Sequence, residues 1–268
     1  MVKISIVTVC LNSDKFIGKC LLSVSEQIGV CIDHVIVDGG SVDQTRDIIK
    51  MVSPESRLFI LPGSGIYDAL NFGISKARAN IVGILHSNDE FLSNDTLRKV
   101  CQHFADDKKL DVFCGSAVIT KGDDRVNIDR YVDSQLFSRR NLMRIGFMPA
   151  HTGLFHTKEV FSLIGGYDET YISAGDFKFC FDIFFRNFFN FRFKVSREVV
   201  SVMSSGGTSS SGFKSYVRTA KEITSILREY NLRINIIQHV VRLIIKKLHA
   251  SLWIVKLKKL RFEDLRQL

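Results

Sequence analysis

Residues 34–43 read HVIVDGGSVD, an apolar run that ends at a carboxylate and continues into a glycine loop. The run His34–Val37 predicts a short buried strand, because β-branched residues favour extended backbone. Asp38 then stands at the end of this strand, and Gly39 and Gly40 favour a sharp turn. Apolar residues at helical spacing follow, so this segment predicts a strand, a loop and a helix in succession.

The same alternation continues on both sides of this segment. It predicts further strands at Lys3–Val9, Arg57–Leu61 and Ile81–Leu85. It also predicts a helix at Ile66–Ala79. This order predicts an α/β fold with a mostly parallel central sheet flanked by helices. Ligands of such folds bind beyond the carboxyl ends of the strands, where Asp38 and Asp89 both fall.

The length and composition are those of one α/β domain with a large core and a tail, at 268 residues and 46% apolar. Polar residues interrupt the N-terminal run by Asn12, so no signal peptide is predicted. No uncharged apolar run of about 18 residues occurs, so no spanning helix is predicted. The six cysteines are scattered without metal-ligand spacing, which favours reduced core residues in a cytoplasmic protein.

The positive charge lies in the C-terminal part of the chain. Residues 212–268 contain 13 Lys or Arg and 4 Asp or Glu, whereas the preceding 211 residues contain 24 of each. Apolar residues such as Ile237, Val241 and Ile244 recur there at helical spacing, with Trp253 near the middle. A basic amphipathic helix is typical of segments at an anionic membrane surface. The alternative is that its apolar stripe packs on the rest of the protein. No recognition motif supports binding to nucleic acid.

Two polar loops carry residues suited to a nucleotide and a metal ion. Asp38 can accept a hydrogen bond from a base or a ribose hydroxyl, and the glycines beside it allow a ligand to approach closely. Asn88 and Asp89 follow the predicted strand Ile81–Leu85, and hard oxygen donors suit Mg²⁺ or Mn²⁺ bound to a diphosphate. Each segment alone is equally compatible with an ordinary solvated turn.

Four further residues are candidates for substrate contact or catalysis. Asp68 and Asn71 are three residues apart and share one face of a predicted helix. Asp176 opens another predicted helix, where the helix dipole stabilises an ionised carboxylate that can take a proton from an acceptor hydroxyl. A plain helix cap is the alternative for Asp176. His151 is a candidate contact for a phosphate or the acceptor, although an isolated histidine is often structural.

Six stretches carry a family resemblance: SIVTVCLNS, VIVDGGSVDQT, SGIYDALNFGI, ILHSNDEF, IGGYDE and AGDFKF. In order and spacing they resemble the bacterial family 2 glycosyltransferases with the GT-A fold, and most closely those that build O-antigen, capsule and other exopolysaccharides. The resemblance covers about residues 1–205, leaving 206–268 as a basic amphipathic helical tail. It implies an inverting enzyme, a hexosyltransferase that uses a nucleoside diphosphate sugar, often linked to UDP.

The resemblance also implies roles for single residues. It assigns Thr8 and Asp38 to the nucleotide, Asp68 and Asn71 to the sugar and diphosphate, Asp89 to Mn²⁺ or Mg²⁺, and Asp176 to the role of general base. Two positions depart from the family pattern. Asn88 replaces a carboxylate of the usual Asp-x-Asp-Asp and is expected to contact substrate, and Gly175 replaces the first acid of the usual pair at the base.

These observations predict a glycosyltransferase that acts on a lipid-linked saccharide at the inner face of the cell membrane. One alternative is a nucleotidyltransferase, which usually carries a glycine-rich basic signature near its N-terminus that this chain lacks. The other is a non-catalytic protein that binds a nucleotide sugar or acts as a scaffold, which the neutral Asn88 favours.

Overall fold

The structure, a computed structural model, describes residues 2–120, 128–185, 190–204 and 212–235, together with 237–238, 240–245 and 248. The strands are β1 (Lys3–Cys10), β2 (Cys31–Asp38), β3 (Arg57–Ile60), β4 (Ile81–Ile84), β5 (Asp89–Phe91), β6 (Val112–Thr120), β7 (Ile128–Val132), β8 (Leu154–Thr157) and β9 (Phe193–Ser204). The helices are α1 (Ile17–Ser25), α2 (Thr45–Val52), α3 (Ile66–Lys76), α4 (Thr96–Asp106), α5 (Ser134–Phe137), α6 (Arg140–Met143), α7 (Lys158–Ile164), α8 (Gly175–Phe185) and α9 (Gly212–Glu229), with one 3-10 turn at His151–Gly153.

One sheet contains these nine strands in the order β3-β2-β1-β4-β8-β6-β9-β5, with β7 paired to β6. The strands β3, β2, β1 and β4 are parallel to one another. Beyond them, β8 runs antiparallel between β4 and β6, and β9 is parallel to β6. Six strands therefore share one direction, while β5, β7 and β8 run the other way. The predicted α/β fold with a mostly parallel sheet is confirmed.

Helices cover both faces of the sheet, as a parallel sheet requires. On one face, Leu70 and Ile74 of α3 and Phe177 of α8 pack in a core with Val7 and Val37. On the other face a second core contains side chains of α1 and α4, such as Val24 and Val100. Both faces of β1 and β2 are consequently apolar, which explains why they appear in the sequence as continuous apolar runs.

The strand predicted at His34–Val37 begins earlier, at Cys31, although Asp33 interrupts its apolar pattern. The carboxylate of Asp33 accepts hydrogen bonds from Ser5 at 2.7 Å and from the guanidinium of Arg57 at 2.9 Å. Because these partners lie on the neighbouring strands β1 and β3, the buried charge is compensated and the strand continues.

The segment after β4 differs from the prediction of a loop carrying Asp89. Here β4 ends at Ile84 and Asp89 begins the short strand β5, which pairs with β9 through Asp89 and Met203. The buried part of β9 is Val199–Val202, whereas its first half, from Phe193, is mostly exposed or half-buried. Between β7 and β8 the chain forms the short helices α5 and α6 and the 3-10 turn at His151–Gly153.

The described part of the C-terminal segment begins with α9, which packs on the preceding domain. Ile223, Ile226 and Leu227 of α9 are buried in the same core as α3 and α8. The described residues from 237 to 248 are helical, and we call them the tail helix. The division of the chain at residue 205 stays a prediction, and Trp253 lies outside the described residues. No described helix has both the length and the apolar character needed to cross a membrane.

Candidate active site

The loops after β1, β2 and β4 meet at one edge of the sheet and are joined by hydrogen bonds. Asn12 donates its backbone N–H to Ser41 at 2.8 Å, and its side chain accepts one from Val42 at 3.0 Å. The hydroxyls of Ser13 and Ser87 lie 3.0 Å apart. The carboxyl ends of these parallel strands thus form one polar surface, where ligands of such sheets bind.

Asp38 ends β2 on this surface and is fully buried. Its carboxylate accepts the backbone N–H of Ser41 at 3.0 Å and also the Ser41 hydroxyl. The guanidinium Nε of Arg46 lies 3.9 Å from the Asp38 Oδ2 atom. Gly40, with φ of 96°, turns the chain against Pro62, and only glycine adopts this conformation without strain. The loop holds Asp38 rigidly, and each carboxylate oxygen can accept more than one hydrogen bond.

The strand β1 brings Cys10, and not Thr8, beside Asp38. Thr8 is fully buried two residues before the strand end, and its hydroxyl lies 3.0 Å from the ring of His34. The Cys10 sulfur lies 3.8 Å from a carboxylate oxygen of Asp38. Burial and the neighbouring Asp38 raise the pKa of the Cys10 thiol, which is therefore neutral. The side chain of β1 that borders the proposed nucleotide loop is that of Cys10.

Asn88 and Asp89 lie at the junction of the β4 loop and β5. Asn88 is half-buried and its amide is 3.5 Å from the carbonyl of Ser204. Asp89 is only 2% exposed, and burial raises its pKa to about 8, opposed by a hydrogen bond from the backbone of Ser204. A buried carboxylate of this kind is stabilised in its charged form when a cation lies beside it.

These oxygen donors fit a divalent ion that is held largely by a diphosphate. Mg²⁺ typically takes one or two carboxylates from the protein and completes its shell with water and phosphate oxygens. In the described residues, no group of three or more His, Cys, Asp or Glu side chains is arranged to hold a metal by itself. Asn88 and Asp89 are therefore the ligands expected to contribute to a metal–diphosphate complex.

Asp176 lies in the first turn of α8, half-buried, and it is the predicted general base. Its carboxylate accepts the backbone N–H of Phe177 at 2.7 Å and the hydroxyl of Tyr67 at 3.4 Å. Burial raises its pKa, while the Phe177 N–H, the nearby His86 and the Tyr67 hydroxyl act in the opposite direction. A raised pKa makes this carboxylate a stronger proton acceptor near neutral pH.

Four aromatic rings form a connected group beside Asp176, which contacts the first of them, Tyr67. Tyr67 is stacked on Tyr167 at a centroid distance of 5.9 Å, and the Tyr167 hydroxyl lies 2.8 Å from the ring of His151. His151 is stacked on His86 at 5.5 Å. Burial lowers the pKa of both histidines to about 4, so both are neutral at physiological pH. His151 is 5% exposed and its ring is bonded to Tyr167. Its contact with a phosphate or the acceptor stays a prediction.

Asn71 joins α3 to the loop before α8. Its side-chain oxygen accepts the backbone N–H of Tyr167 at 2.8 Å, and its amide donates to the Tyr167 carbonyl and to Glu169, each at 2.8 Å. A Cβ on Gly166, where φ is 82°, would lie 2.8 Å from that oxygen. Asn71 thus orients Tyr167 and the loop, while its neighbour Asp68 stays half-buried one turn earlier on α3.

Glu222 of α9 holds the loop that leads into Asp176. Its carboxylate accepts three successive backbone N–H groups, from Ile172 at 3.2 Å, Ser173 at 2.9 Å and Ala174 at 2.8 Å. Hydrogen bonds to an ionised acceptor are stronger than those between neutral groups. The C-terminal segment therefore fixes the backbone immediately before the proposed base.

We expect Glu222→Ala to lower kcat by about 10- to 100-fold, because a catalytic group displaced by about 1 Å loses roughly that much rate. Nucleotide binding should stay within a few-fold, since the Asp38 loop does not contact Glu222. Steady-state kinetics and calorimetry of UDP binding measure the two effects. Lys221→Ala, on the exposed face of the same helix, is the matched control. An unchanged kcat in a folded Glu222→Ala protein would show that the loop does not need this carboxylate.

Some of these residues were not identified by the sequence motifs. Tyr67 and Tyr167 each directly precede an aspartate in one of the six stretches that carry the family resemblance. This position is the only local feature of the sequence that indicates them. His86 occupies the first position of the motif that contains Asn88 and Asp89, where the family pattern has Asp or Asn. Glu222 lies beyond the stretches that carry the resemblance, so no motif pointed to it.

Comparisons with known proteins give related sequences and folds. The family model described as Glycosyl transferase family 2 matches residues 5–162. The PGL/p-HBAD biosynthesis glycosyltransferase of Mycobacterium bovis (strain BCG / Pasteur 1173P2) is 29% identical over 179 residues, which span 65% of this chain and 67% of that protein.

Two solved structures share the fold at low sequence identity. TarS 1-349 of S. aureus in complex with UDP has a TM-score of 0.64 and 16% identity, covering 90% of this chain and 68% of that one. Mannosyltransferase PcManGT from Pyrobaculum calidifontis in complex with GDP-Man and Mn²⁺ has a TM-score of 0.60 and 17% identity, covering 93% and 69%. Since the family model spans more than half of this chain, the chain belongs to glycosyl transferase family 2.

Proposed function

We propose that this glycosyltransferase moves a sugar from UDP to a hydroxyl of a lipid-linked saccharide, with inversion at the anomeric carbon. The observation that carries the proposal is the placement of Asp176. Its carboxylate lies in the first turn of α8, beside His86 of the β4 loop and within 3.4 Å of the Tyr67 hydroxyl. It therefore lies on the same side of the sheet as the loops proposed to hold the donor.

In this proposal Asp176 takes the proton of the acceptor hydroxyl as the oxygen attacks the anomeric carbon. The bond between that carbon and the diphosphate oxygen breaks, and the diphosphate leaves with the electron pair. Burial lowers the pKa of His86 and His151 to about 4, so neither ring is expected to take the acceptor's proton at physiological pH. A single displacement of this kind inverts the configuration at the sugar.

The donor side of the proposal rests on the loops at the sheet edge. The rigid loop containing Asp38 and Gly40 suits a base or ribose. Asn88 and Asp89 suit a diphosphate bound to Mn²⁺ or Mg²⁺, a divalent ion consistent with the Mn²⁺ in the PcManGT complex. The TarS complex contains UDP, whereas that of PcManGT contains GDP-Man, and for this chain we propose UDP.

The acceptor side of the proposal rests on the tail helix. Five apolar side chains on one side of this helix are between 39% and 67% exposed, namely Ile237, Val240, Val241, Ile244 and Leu248. Residues 212–268 carry a charge of +9 from 13 basic and 4 acidic residues. An exposed apolar stripe on a basic segment suits an anionic lipid surface, so we propose peripheral attachment at the cytoplasmic face of the membrane. A lipid-linked acceptor in surface polysaccharide synthesis, such as O-antigen, would be concentrated there.

We expect the intact protein to co-sediment with anionic vesicles, and Ile237→Ser/Val240→Ser/Ile244→Ser to lose most of this binding. Each basic residue near the surface contributes about 1 kcal/mol, so binding should weaken with salt. These substitutions are preferable to truncation after Tyr230, which would also remove Ile234 from the core.

The matched control changes two apolar residues on another part of the surface, Met51→Ser and Ile28→Ser, which are 76% and 56% exposed. Neutral vesicles and unfolding temperatures complete the comparison. If the stripe instead packs on the catalytic domain, the triple variant should unfold earlier and the intact protein should sediment with neither kind of vesicle.

The function itself is tested by incubating the purified protein with a panel of nucleotide sugars and measuring nucleotide release. The proposal predicts release of UDP that depends on a lipid-linked acceptor and on Asp176. Release of pyrophosphate from a nucleoside triphosphate and a sugar phosphate would instead identify a nucleotidyltransferase. Tight binding of a nucleotide sugar with no turnover on any acceptor would support the non-catalytic alternative.

A further inference from the structure

The tail helix has an unusual distribution of side chains. Its exposed stripe is apolar, while the residues that face the protein are Gln238, Arg242 and Ile245. These three are spaced by four and three residues, which places them on one helix face. Arg242 is the most buried of them, at 7% exposed. A buried arginine on a helix with an apolar outer face requires an explanation.

The guanidinium of Arg242 packs closely against Gly146. Its Nη1 and Cζ atoms are 3.2 and 3.3 Å from the position that a Cβ on Gly146 would occupy. Gly146 has φ of 87°, a conformation that side-chain-bearing residues rarely adopt. A Cβ at residue 146 would also lie 3.0 Å from Ile223, so Ile223 and the guanidinium would both have to shift by a few tenths of an ångström.

One N–H donor of the same guanidinium has no hydrogen-bond partner among the residues that the structure describes. This donor is the Nε, which is buried. Burial lowers the pKa of Arg242 to about 10, while Tyr216 and Asp176 act in the opposite direction. Asp176 is near enough to act electrostatically on Arg242, so the guanidinium lies in the neighbourhood of the proposed base. A buried cation with an unpaired donor is costly unless an anion completes it.

We propose that Arg242 is a phosphate-binding residue of the active site, supplied by the tail helix. The guanidinium is a planar donor of several N–H groups, and its geometry matches a phosphate. Its position near the base allows two sources for this phosphate, the diphosphate of the donor or a phosphate of the lipid-linked acceptor. This inference rests on the function proposed above.

In this proposal the two faces of the tail helix have different roles. If the outer face lies on a membrane, the inner face holds a cation at the site where the sugar is transferred. The helix would then deliver both the attachment to lipid and one of the phosphate contacts. The experiment separates these roles, because changing Arg242 leaves the exposed stripe intact.

The test compares wild-type protein with Arg242→Met, which removes the charge but keeps the length of the side chain. Calorimetry measures binding of UDP and GDP and of their nucleosides. Kinetics measure KM for a lipid-linked acceptor with a phosphate and for a phosphate-free glycolipid acceptor. Arg233→Met, an exposed arginine before the same helix, is the matched control. Unfolding temperatures establish that each variant is folded, and Arg242→Gln replaces the Met variant if that one does not fold.

If the donor diphosphate is the ligand, the Kd of the nucleoside diphosphate should rise by about 10- to 100-fold, with nucleoside binding unchanged. If the acceptor phosphate is the ligand, only the KM of the phosphate-bearing acceptor should rise, by at least about 10-fold. If Arg242→Met changes neither the Kd of the nucleoside diphosphate nor the KM of the phosphate-bearing acceptor, the proposal is wrong, and the proposed function is unaffected. Absence of both nucleotide binding and transfer by the wild-type protein overturns the function as well.

Discussion

Replacing Asp176 by asparagine is expected to lower kcat by about 10²–10⁴, because the amide keeps the shape of the side chain but cannot accept the acceptor's proton. The hydrogen bond from the Phe177 N–H, 2.7 Å long in the structure, can still form to the amide oxygen. The fold and donor binding should therefore survive. Steady-state kinetics with a saturating nucleotide sugar measure kcat, and calorimetry measures the Kd of UDP.

The control for this substitution is Asp168→Asn. The Asp168 carboxylate accepts the backbone N–H of Thr170 at 3.0 Å and its hydroxyl at 2.6 Å, which marks it as part of a local turn. We expect a change in kcat of only a few-fold. If Asp176→Asn turns over within a few-fold of wild type while Asp168→Asn does not, Asp168 is the base.

The pH dependence provides an independent readout of the same assignment. Burial raises the pKa of Asp176 above its ordinary value of 3.8, so the base is lost at a higher pH than an exposed aspartate would be. The value of kcat/KM should therefore fall as the pH decreases through this raised pKa. The pKa values of His86 and His151 are lowered to about 4 and that of Asp89 is raised to about 8, so the profile of Asp176→Asn is needed to assign the fall to Asp176.

Removing the divalent ion is expected to abolish most of the activity, and Asp89→Ala should do the same. The leaving diphosphate carries a high negative charge, and the ion neutralises it as the bond to the sugar breaks. Asp89→Asn is the milder variant, since it preserves the shape of a side chain that is only 2% exposed. We expect Mn²⁺ together with UDP to raise the unfolding temperature of the wild type but not of these variants.

Asn88→Asp offers the opposite test of the same site. It restores the carboxylate that the family usually carries, so half-maximal activity should require a lower Mn²⁺ concentration. Asn12→Asp, which adds a carboxylate on the β1 loop, is the matched control for a general charge effect. Full activity of the wild type in excess chelator would contradict a metal-dependent reaction.

The amino-acid sequence determined the α/β class, the strand ends that carry Asp38 and the helix that begins near Asp176. These features depend on local patterns, namely apolar periodicity, glycine turns and the order of short motifs. The limits of β5 and β9 could not be predicted from the sequence. Asp89 begins a strand only because it pairs with Met203, which is far away in the chain.

Only the tertiary structure decided what surrounds the proposed base. Tyr67 and Asp176 are 109 residues apart in sequence, and Ala174 and Glu222 are 48 apart. The sequence motifs showed that Asp68 and Asn71 share a helix face, but not that Asn71 clamps the backbone of Tyr167. Likewise, the pattern of the tail predicted an amphipathic helix and did not reveal that Arg242 points inward. Such contacts depend on how helices pack on the sheet, and residue spacing along one helix carries no information about the partner it meets.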